Sequence, residues 1–171
     1  GGIKRISDVA SYFVPIMVAV YFIGAFIVIL SHLGQLAVGL KLILEHAFTG
    51  TAATGGFIGA TLAKTIRYGV ARGLFSNESG MGSAPIAAAA AKTNQPAKQA
   101  LVSMSGTFLD TLVVCSLTAL TLASTGVWVS GETGVALTMQ AFSAGLPGTW
   151  GPFIVTLSAI TFAFSTILAW E

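Results

Sequence analysis

The chain has 171 residues, of which 54% are hydrophobic and only 8% are charged, and its formal net charge is +2. Soluble domains carry charge on roughly a quarter of their residues, so this composition excludes an ordinary water-soluble domain. The basic residues do not alternate with aromatic residues along the chain, and this pattern argues against nucleic acid as a partner.

Long stretches without charged residues indicate membrane-spanning helices. Residues 9–40, 111–131 and 133–170 carry no charge, and each can hold the roughly 20 residues that a membrane helix needs. We therefore predict an all-α membrane protein in which residues 1–171 form one partial transmembrane domain. The four predicted spans cover residues 9–31, 42–66, 99–124 and 153–171. Because the chain opens at Gly1 rather than Met and ends directly after an apolar run, we expect it to be an interior piece of a longer protein.

The first span is an apolar stretch from Val9 to Ser31. Ser7 and Asp8 are typical N-cap residues and predict that the helix starts beside them. Pro15 predicts a kink in this helix, since neighbouring membrane helices or water can satisfy the carbonyl that a proline leaves unpaired. Such a kink needs no functional role.

The second span is predicted to be interrupted. Residues 32–46 place apolar and charged side chains at helical spacing, which predicts an amphipathic connector. Residues 48–56 are rich in glycine and threonine and would form a poor continuous helix. Apolar residues then continue to Ile66. We therefore interpret residues 42–66 as one membrane helix that is broken near its middle.

Basic side chains cluster in the stretch that follows. They are Lys64, Arg67, Arg72, Lys92 and Lys98. Because basic residues are retained on the inner side of a membrane, residues 67–98 are predicted to form a cytoplasmic loop. The other connections then alternate in side, and residues 125–152 are predicted to form an external loop. Within it, residues 134–144 read as an amphipathic stretch on the external face.

Three stretches of the sequence are specific enough to suggest a family. They run from Gly69 to Ala91 (GVARGLFSNESGMGSAPIAAAAA), from Gln99 to Cys115 (QALVSMSGTFLDTLVVC) and from Phe162 to Trp170 (FAFSTILAW). These stretches closely resemble the alanine or glycine:cation symporter family, and the likeness covers essentially the whole chain. The resemblance implies the leucine-transporter-like fold of two inverted five-helix repeats. The four predicted spans are similar to the fifth to eighth helices of that fold.

The resemblance also implies a function. It predicts a secondary active transporter that couples inward movement of sodium, or protons, to the uptake of alanine or glycine by alternating access. Sodium is the implied coupling ion, with no cofactor. The implied partners are the amino acid, the lipid bilayer and the remainder of the same transporter, and the implied location is a bacterial or archaeal inner (plasma) membrane. The alternatives are an ion channel and another carrier of small solutes.

A membrane enzyme is disfavoured by the residues themselves. The sequence contains no HExxH pair, no GxSxG elbow and no paired carboxylates. The single cysteine, Cys115, can form neither an internal disulfide nor a cysteine metal cluster. Its position in an apolar run predicts a small buried hydrophobic residue.

A substrate site is predicted at the break in the second span. Transporters with broken helices bind substrate there, because the unwound backbone groups face the ligand. Glycine permits the unwinding, threonine hydroxyls can bind a polar group, and an aromatic ring can wall the pocket. The candidate substrate residues are Phe48, Thr49, Gly50, Thr51, Thr54 and Trp170. Two alternatives stay open: the small residues only allow close helix packing, and Trp170 is an interfacial anchor.

Ser165 and Thr166 are adjacent in the last span, and the similar fold uses a neighbouring pair of hydroxyls at this place to coordinate sodium. Two hydroxyls alone make a weak site, so the resemblance implies further ligands from the first helix of the fold, which this chain does not include. The alternative is that both hydroxyls bond to their own helix backbone.

Asp110 lies deep within a predicted span, about 18 Å along the helix from Lys98 at 1.5 Å per residue. An acid within a membrane is costly and suggests an ion pathway or a paired charge. Asp110 is therefore a candidate cation ligand or proton site. The alternative is a hydrogen-bonding partner, with Thr107, Thr111 or a residue of the missing helices.

The motif from Ser76 to Ser83 is predicted to act as a gate or as a helix cap. Its cytoplasmic placement argues against contact with substrate. Its acid and amide can cap a helix starting near Pro85 or hold an inner gate closed through a nearby arginine, and its glycines supply an adaptable backbone. The candidate gating residues are Arg72, Asn77, Glu78, Gly80 and Gly82.

Overall fold

A computed structural model describes residues 2–48, 58–77, 82, 85, 88–89 and 91–170 of the chain. Within its helices, the side chains of residues 2–4, 6–7, 43, 46–48, 58–62, 64–65 and 168–170 are outside this description. Every regular element in the described residues is helical, and no strand occurs among them. The prediction of an all-α protein is confirmed to that extent.

The described helices follow one another along the chain. They are α1 (Gly2–Ser31), α2 (Leu33–Phe48), α3 (Ile58–Ser76), α4 (Pro96–Thr107), a π-helical segment (Phe108–Cys115), α5 (Ser116–Thr125), a 3-10 turn (Val127–Ser130), α6 (Gly134–Gly145) and α7 (Trp150–Trp170). The π-helical segment is called the π segment below.

Three described helical stretches are long and apolar enough to cross a membrane. They are Asp8–Ser31, Pro96–Thr125 and Trp150–Ile167, with 24, 30 and 18 residues. The second stretch joins α4, the π segment and α5 without a break. The predicted interrupted span, residues 42–66, includes residues 49–57, which lie outside the described part of the chain.

The start of α1 differs from the prediction. The helix begins at Gly2, so neither Ser7 nor Asp8 caps it. Asp8 lies inside the helix, and its carbonyl accepts a hydrogen bond from the Ser11 hydroxyl at 2.8 Å. The cap was a wrong prediction because a residue that favours a helix start does not terminate a helix already formed by the residues before it. Pro15 also lies inside α1.

The break between α1 and α2 falls at His32. The His32 N–H donates to the Ile29 carbonyl at 3.1 Å, and the His32 carbonyl accepts from the Gln35 N–H at 2.9 Å. Its ring nitrogen Nδ1 lies 3.1 Å from the Val28 carbonyl. The backbone groups that a helix break exposes are therefore satisfied locally.

The chain divides into two compact units: Gly1–Lys41 with Leu117–Glu171, and Leu42–Ser116. In the first unit, α1 packs against α6 and α7. The side chains of its core are Met17, Tyr21, Ala25, Val28, Ile29, Leu117, Ala141, Phe142, Leu146 and Val155.

Small residues allow the helices of the first unit to approach closely. A Cβ on Gly145 would lie 2.6 Å from Val28 Cγ1, and a Cβ on Gly151 would lie 2.6 Å from the backbone of Phe142. Both distances are shorter than any real contact, so these positions require glycine. The amphipathic stretch predicted at 134–144 is the helix α6, and its Ala141 and Phe142 are fully buried.

In the second unit, α3 contacts the π segment. The apolar side chains of α4 and the π segment lie largely on the surface, and they include Leu101, Val102, Met104, Phe108, Leu109 and Leu112. An apolar surface of this kind suits lipid or neighbouring apolar helices. Cys115 is also exposed, which corrects the prediction of a buried residue.

Candidate functional site

The predicted substrate site lies mostly outside the described residues. Thr49, Gly50, Thr51 and Thr54 fall in residues 49–57, for which no structure is described. Phe48 ends α2 and Trp170 ends α7, but the side chains of both are outside the description. The substrate site therefore stays a prediction.

The hydroxyl pair on α7 is described, and both members bond to the same carbonyl. Ser165 Oγ donates to the Phe162 carbonyl at 2.8 Å, and Thr166 Oγ1 donates to it at 2.9 Å. Ser165 is half-buried and Thr166 is exposed. Each oxygen keeps acceptor lone pairs while its proton is used in this way, so the local bonds are compatible with either role that the sequence predicts.

Asp110 lies in the π segment, midway along the candidate span Pro96–Thr125, and is half-buried. Its Oδ2 accepts a hydrogen bond from the hydroxyl of Ser76, the last residue of α3. The sequence suggested Thr107 or Thr111 as a partner. Its described partner is instead a residue 34 positions away.

The next residue on each segment forms a second bond beside the first. Thr111 Oγ1 donates to Asn77 Oδ1 at 3.0 Å. The other side of the Asn77 amide, Nδ2, donates to the Gly73 carbonyl at 3.0 Å, and the Asn77 backbone N–H also donates to Gly73 at 3.1 Å. Asn77 therefore contacts the last turn of α3 through Gly73 and the π segment through Thr111.

These residues form what we call the α3–π cluster: Ser76, Asn77, Asp110 and Thr111. It contains one carboxylate, two hydroxyls and one amide, and all of its hydrogen bonds lie within the second unit. Chemically it is a set of oxygen atoms around a single negative charge. Such a set can bind a proton or a hard cation, but it offers no nucleophile with a general base.

The other predicted gating residues are only partly described. Arg72 is exposed on α3, and Glu78 and Gly80 lie outside the described residues. Gly82 has a φ of +88°, a left-handed conformation that glycine adopts without strain. The proposed gate therefore stays a prediction, with an adaptable backbone at one of its glycines.

The whole sequence, residues 1–171, matches the family described as the sodium:alanine symporter family. The chain belongs to this family. Its members are transporters and not enzymes, which agrees with the resemblance seen in the three sequence stretches. Together with the apolar helices, this makes the chain part of an integral membrane protein.

Individual relatives in the sodium:alanine symporter family are similar over nearly the whole chain. An uncharacterized transporter of Haemophilus influenzae is 48% identical over 171 residues, which are 99% of this chain and 38% of that protein. The sodium/alanine symporter AgcS of Methanococcus maripaludis is 44% identical over 175 residues, covering all of this chain and 37% of AgcS. The probable sodium/glutamine symporter GlnT of Bacillus subtilis is 41% identical, covering 98% of this chain and 34% of GlnT. The chain thus spans little more than a third of the length of these relatives.

Sequence reasoning singled out two members of the α3–π cluster, and it missed the hydrogen bonds that join the cluster. Asp110 was noticed as an acid within a span, and Asn77 as part of a motif. Neither the contact between Ser76 and Asp110 nor the contact between Asn77 and Thr111 was predicted. The available signal was that each segment contains two adjacent polar residues, Ser76-Asn77 in one and Asp110-Thr111 in the other. This pattern alone does not show that the two pairs are in contact.

Proposed function

We propose that the complete protein containing this chain is a cation-coupled symporter that takes up a small neutral amino acid, alanine or glycine, by alternating access. The observation that supports this proposal is the match to the sodium:alanine symporter family over the whole chain. The printed name of AgcS, a sodium/alanine symporter, supports the choice of ion and substrate. The bacterial and archaeal relatives support a location in an inner, or plasma, membrane.

In this proposal the chain contributes the fifth to eighth helices of a transporter built from two inverted five-helix repeats. Residues 48–56 bind the amino acid at a break in the second span, with Trp170 at the border of the pocket. Ser165 and Thr166 donate hydroxyl oxygens to sodium, while helices outside this chain supply the other ligands. Both hydroxyls donate to the Phe162 carbonyl, and their oxygens keep lone pairs that can accept an ion.

The sodium gradient then drives uptake. Moving one elementary charge through 100 mV is worth about 2.3 kcal/mol, which can concentrate a neutral substrate roughly fiftyfold. Sodium binding organises the broken helices, the zwitterion binds, and one bundle of helices rocks against the other. Residues of the motif from Ser76 to Ser83 act at the inner gate.

The experiment is uptake of radiolabelled alanine and glycine into liposomes that contain the purified complete protein. We expect accumulation with an inward sodium gradient, and none when choline replaces sodium on both sides. A proton gradient without sodium tests the other coupling ion. Equal uptake with and without either gradient would contradict coupling.

Two additions to this experiment separate the alternatives. Current recordings in planar bilayers distinguish a carrier from a channel, since a channel gives unitary currents and a carrier does not. Glutamine belongs in the competition panel because GlnT is named as a probable sodium/glutamine symporter. Competition by glutamine, without competition by alanine or glycine, would replace the proposed substrate.

A further inference from the structure

The carboxylate of Asp110 lies at the centre of the candidate span Pro96–Thr125 and receives one hydrogen bond, from Ser76. No cationic side chain in the described part of the chain pairs with it. A charge placed in a membrane without a partner costs several kcal/mol, and it is either neutralised by a proton or compensated by a cation. The position of Asp110 therefore requires a positive counterpart.

The surroundings of Asp110 supply the ligands that a small hard cation prefers. Ser76 Oγ and Thr111 Oγ1 each keep two acceptor lone pairs when they donate their protons, and Asn77 Oδ1 keeps a second lone pair beside its bond to Thr111. The orientation of the Asn77 amide follows from its bond to Gly73, because Nδ2 donates to that carbonyl and leaves Oδ1 toward the π segment. One carboxylate and three neutral oxygens carry a single negative charge, which suits a monovalent ion.

The two adjacent residues that contact α3, Asp110 and Thr111, both lie in the π segment. π-helical turns are rare, and they occur frequently at functional sites in helices. Here Asp110 bonds to Ser76 and Thr111 bonds to Asn77, so neighbours on one segment contact neighbours on the other. The last turn of α3 is thereby attached to the middle of a candidate membrane span, which would place Ser76 deeper than the cytoplasmic loop predicted for residues 67–98.

From this arrangement we infer that the α3–π cluster is a sodium site, separate from the hydroxyl pair on α7. Asp110 supplies the charge, and Ser76, Asn77 and Thr111 supply neutral oxygens. A sodium ion bound there ties the end of α3 to the π segment more firmly than the two hydrogen bonds do, so ion binding acts on the motif from Ser76 to Ser83. The choice of sodium over a proton rests on the proposed function, whereas the choice of these four residues rests on the two hydrogen bonds that join α3 to the π segment.

Cys115 provides a reporter for this site. It is exposed, it closes the π segment, and it lies near both Asp110 and Ser76. The experiment uses the complete protein with Cys115 as its only cysteine, in detergent and without amino acid. The rate of Cys115 modification by N-ethylmaleimide is measured against sodium chloride concentration at fixed pH, with choline chloride keeping the ionic strength constant. We expect sodium to slow the modification saturably.

Variants then locate the ion. Losing a ligand to a charged group weakens binding by about tenfold or more, so Asp110→Asn should raise the half-maximal sodium concentration by at least about tenfold. Ser76→Ala and Thr111→Val remove one neutral oxygen each and should raise it by about threefold to tenfold. These two changes are milder and decide the question if Asp110→Asn does not fold.

Ser105→Ala is the matched control. Ser105 is an exposed serine of α4 whose hydroxyl donates to the Val102 carbonyl, within its own helix. This variant should keep the wild-type sodium dependence. In Ser165→Ala, the slowing at Cys115 should also remain, because that serine belongs to the other proposed ion site.

Three outcomes would overturn the inference. Slowing that is unchanged in both Asp110→Asn and Thr111→Val would place the ion elsewhere. Slowing that disappears in Ser165→Ala would make it an indirect effect of the α7 pair. A rate that does not change with sodium at fixed pH would show that the cluster binds no sodium. Sodium-dependent slowing in a protein without sodium-driven uptake would instead contradict the proposed function and leave this site standing.

Discussion

Tyr21 and Thr118 form a hydrogen bond between side chains that lie 97 positions apart in the sequence, with 2.7 Å between the two oxygens. Tyr21 is a buried residue of α1, and Thr118 is a half-buried residue of α5. The Tyr21 ring also lies 5.5 Å from the ring of Phe142 and 5.9 Å from that of Phe162, measured between centroids. A single side chain thus links α1 to three other helices of the first unit through one polar and two aromatic contacts.

The contribution of this hydrogen bond can be measured by a double-mutant cycle. Hydrogen bonds between membrane helices contribute about 0.6 kcal/mol on average and no more than about 1.7 kcal/mol. We expect Tyr21→Phe to lower the free energy of unfolding by an amount in this range, because the ring and its aromatic contacts remain. After Thr118→Val, the Tyr21→Phe change should cost less. The measurement is reversible unfolding of the purified complete protein in mixed micelles. Full additivity of the two changes would show that the two hydroxyls are not coupled.

Close contact between helices determines where glycine is required. At the start of α7, a Cβ on Gly151 would lie 2.6 Å from the carbonyl carbon of Phe142 and 2.6 Å from the Ser143 nitrogen. Both atoms belong to the backbone of α6, which cannot move aside as a flexible side chain can. Gly34 of α2 has no atom within 4 Å of its Cβ position. The two glycines look alike in sequence, and their surroundings differ.

The pair makes a matched test of helix packing. Gly151→Ala should lower the free energy of unfolding by about 1–3 kcal/mol, since it forces α6 and α7 apart. Gly34→Ala should leave it unchanged or raise it by up to about 1 kcal/mol, because alanine favours a helix. Thermal unfolding of the detergent-purified complete protein, followed by intrinsic fluorescence, gives the order of the midpoints. A midpoint for Gly151→Ala at or above the wild-type value would show that α6 and α7 do not pack as described.

At the scale of the whole molecule, the chain spans little more than a third of the length of the relatives that it matches. Family membership indicates the class of protein but does not specify the substrate. The relatives are named for alanine in one case and glutamine in another. Discrimination among small amino acids therefore depends on the pocket, and in this chain its predicted residues lie outside the described part.

Alanine and glycine provide a quantitative test of that pocket. They differ by one methyl group, whose burial is worth about 0.8 kcal/mol, or roughly a fourfold change in affinity. We expect alanine to compete for uptake more strongly than glycine by no more than about fourfold. Competition curves with unlabelled amino acids in the liposome uptake assay give the ratio. A much larger preference for either one would indicate a pocket that rejects the other by shape or by an unpaired polar group.

The outcome of sequence reasoning differed between elements. Hydropathy identified the helical class, because the cost of placing charge in a membrane acts on each segment separately. The cap residues Ser7 and Asp8 misplaced the start of α1, because cap preferences are weak compared with the continuation of a formed helix. The sequence also could not assign a buried core position to Phe142, since the residues that cover this side chain come from α1 and α7.

The sequence by itself determined the membrane class, the helical content and the family, because composition, charge spacing and long motifs are properties of the chain in order. Only the tertiary structure decided that Ser76 bonds to Asp110, that Asn77 bonds to Thr111, and that Gly151 cannot carry a side chain. These facts depend on which helix faces meet. Residues 34 positions apart have no local signal of their contact, since a hydrogen bond depends on distance in space and not on distance along the chain.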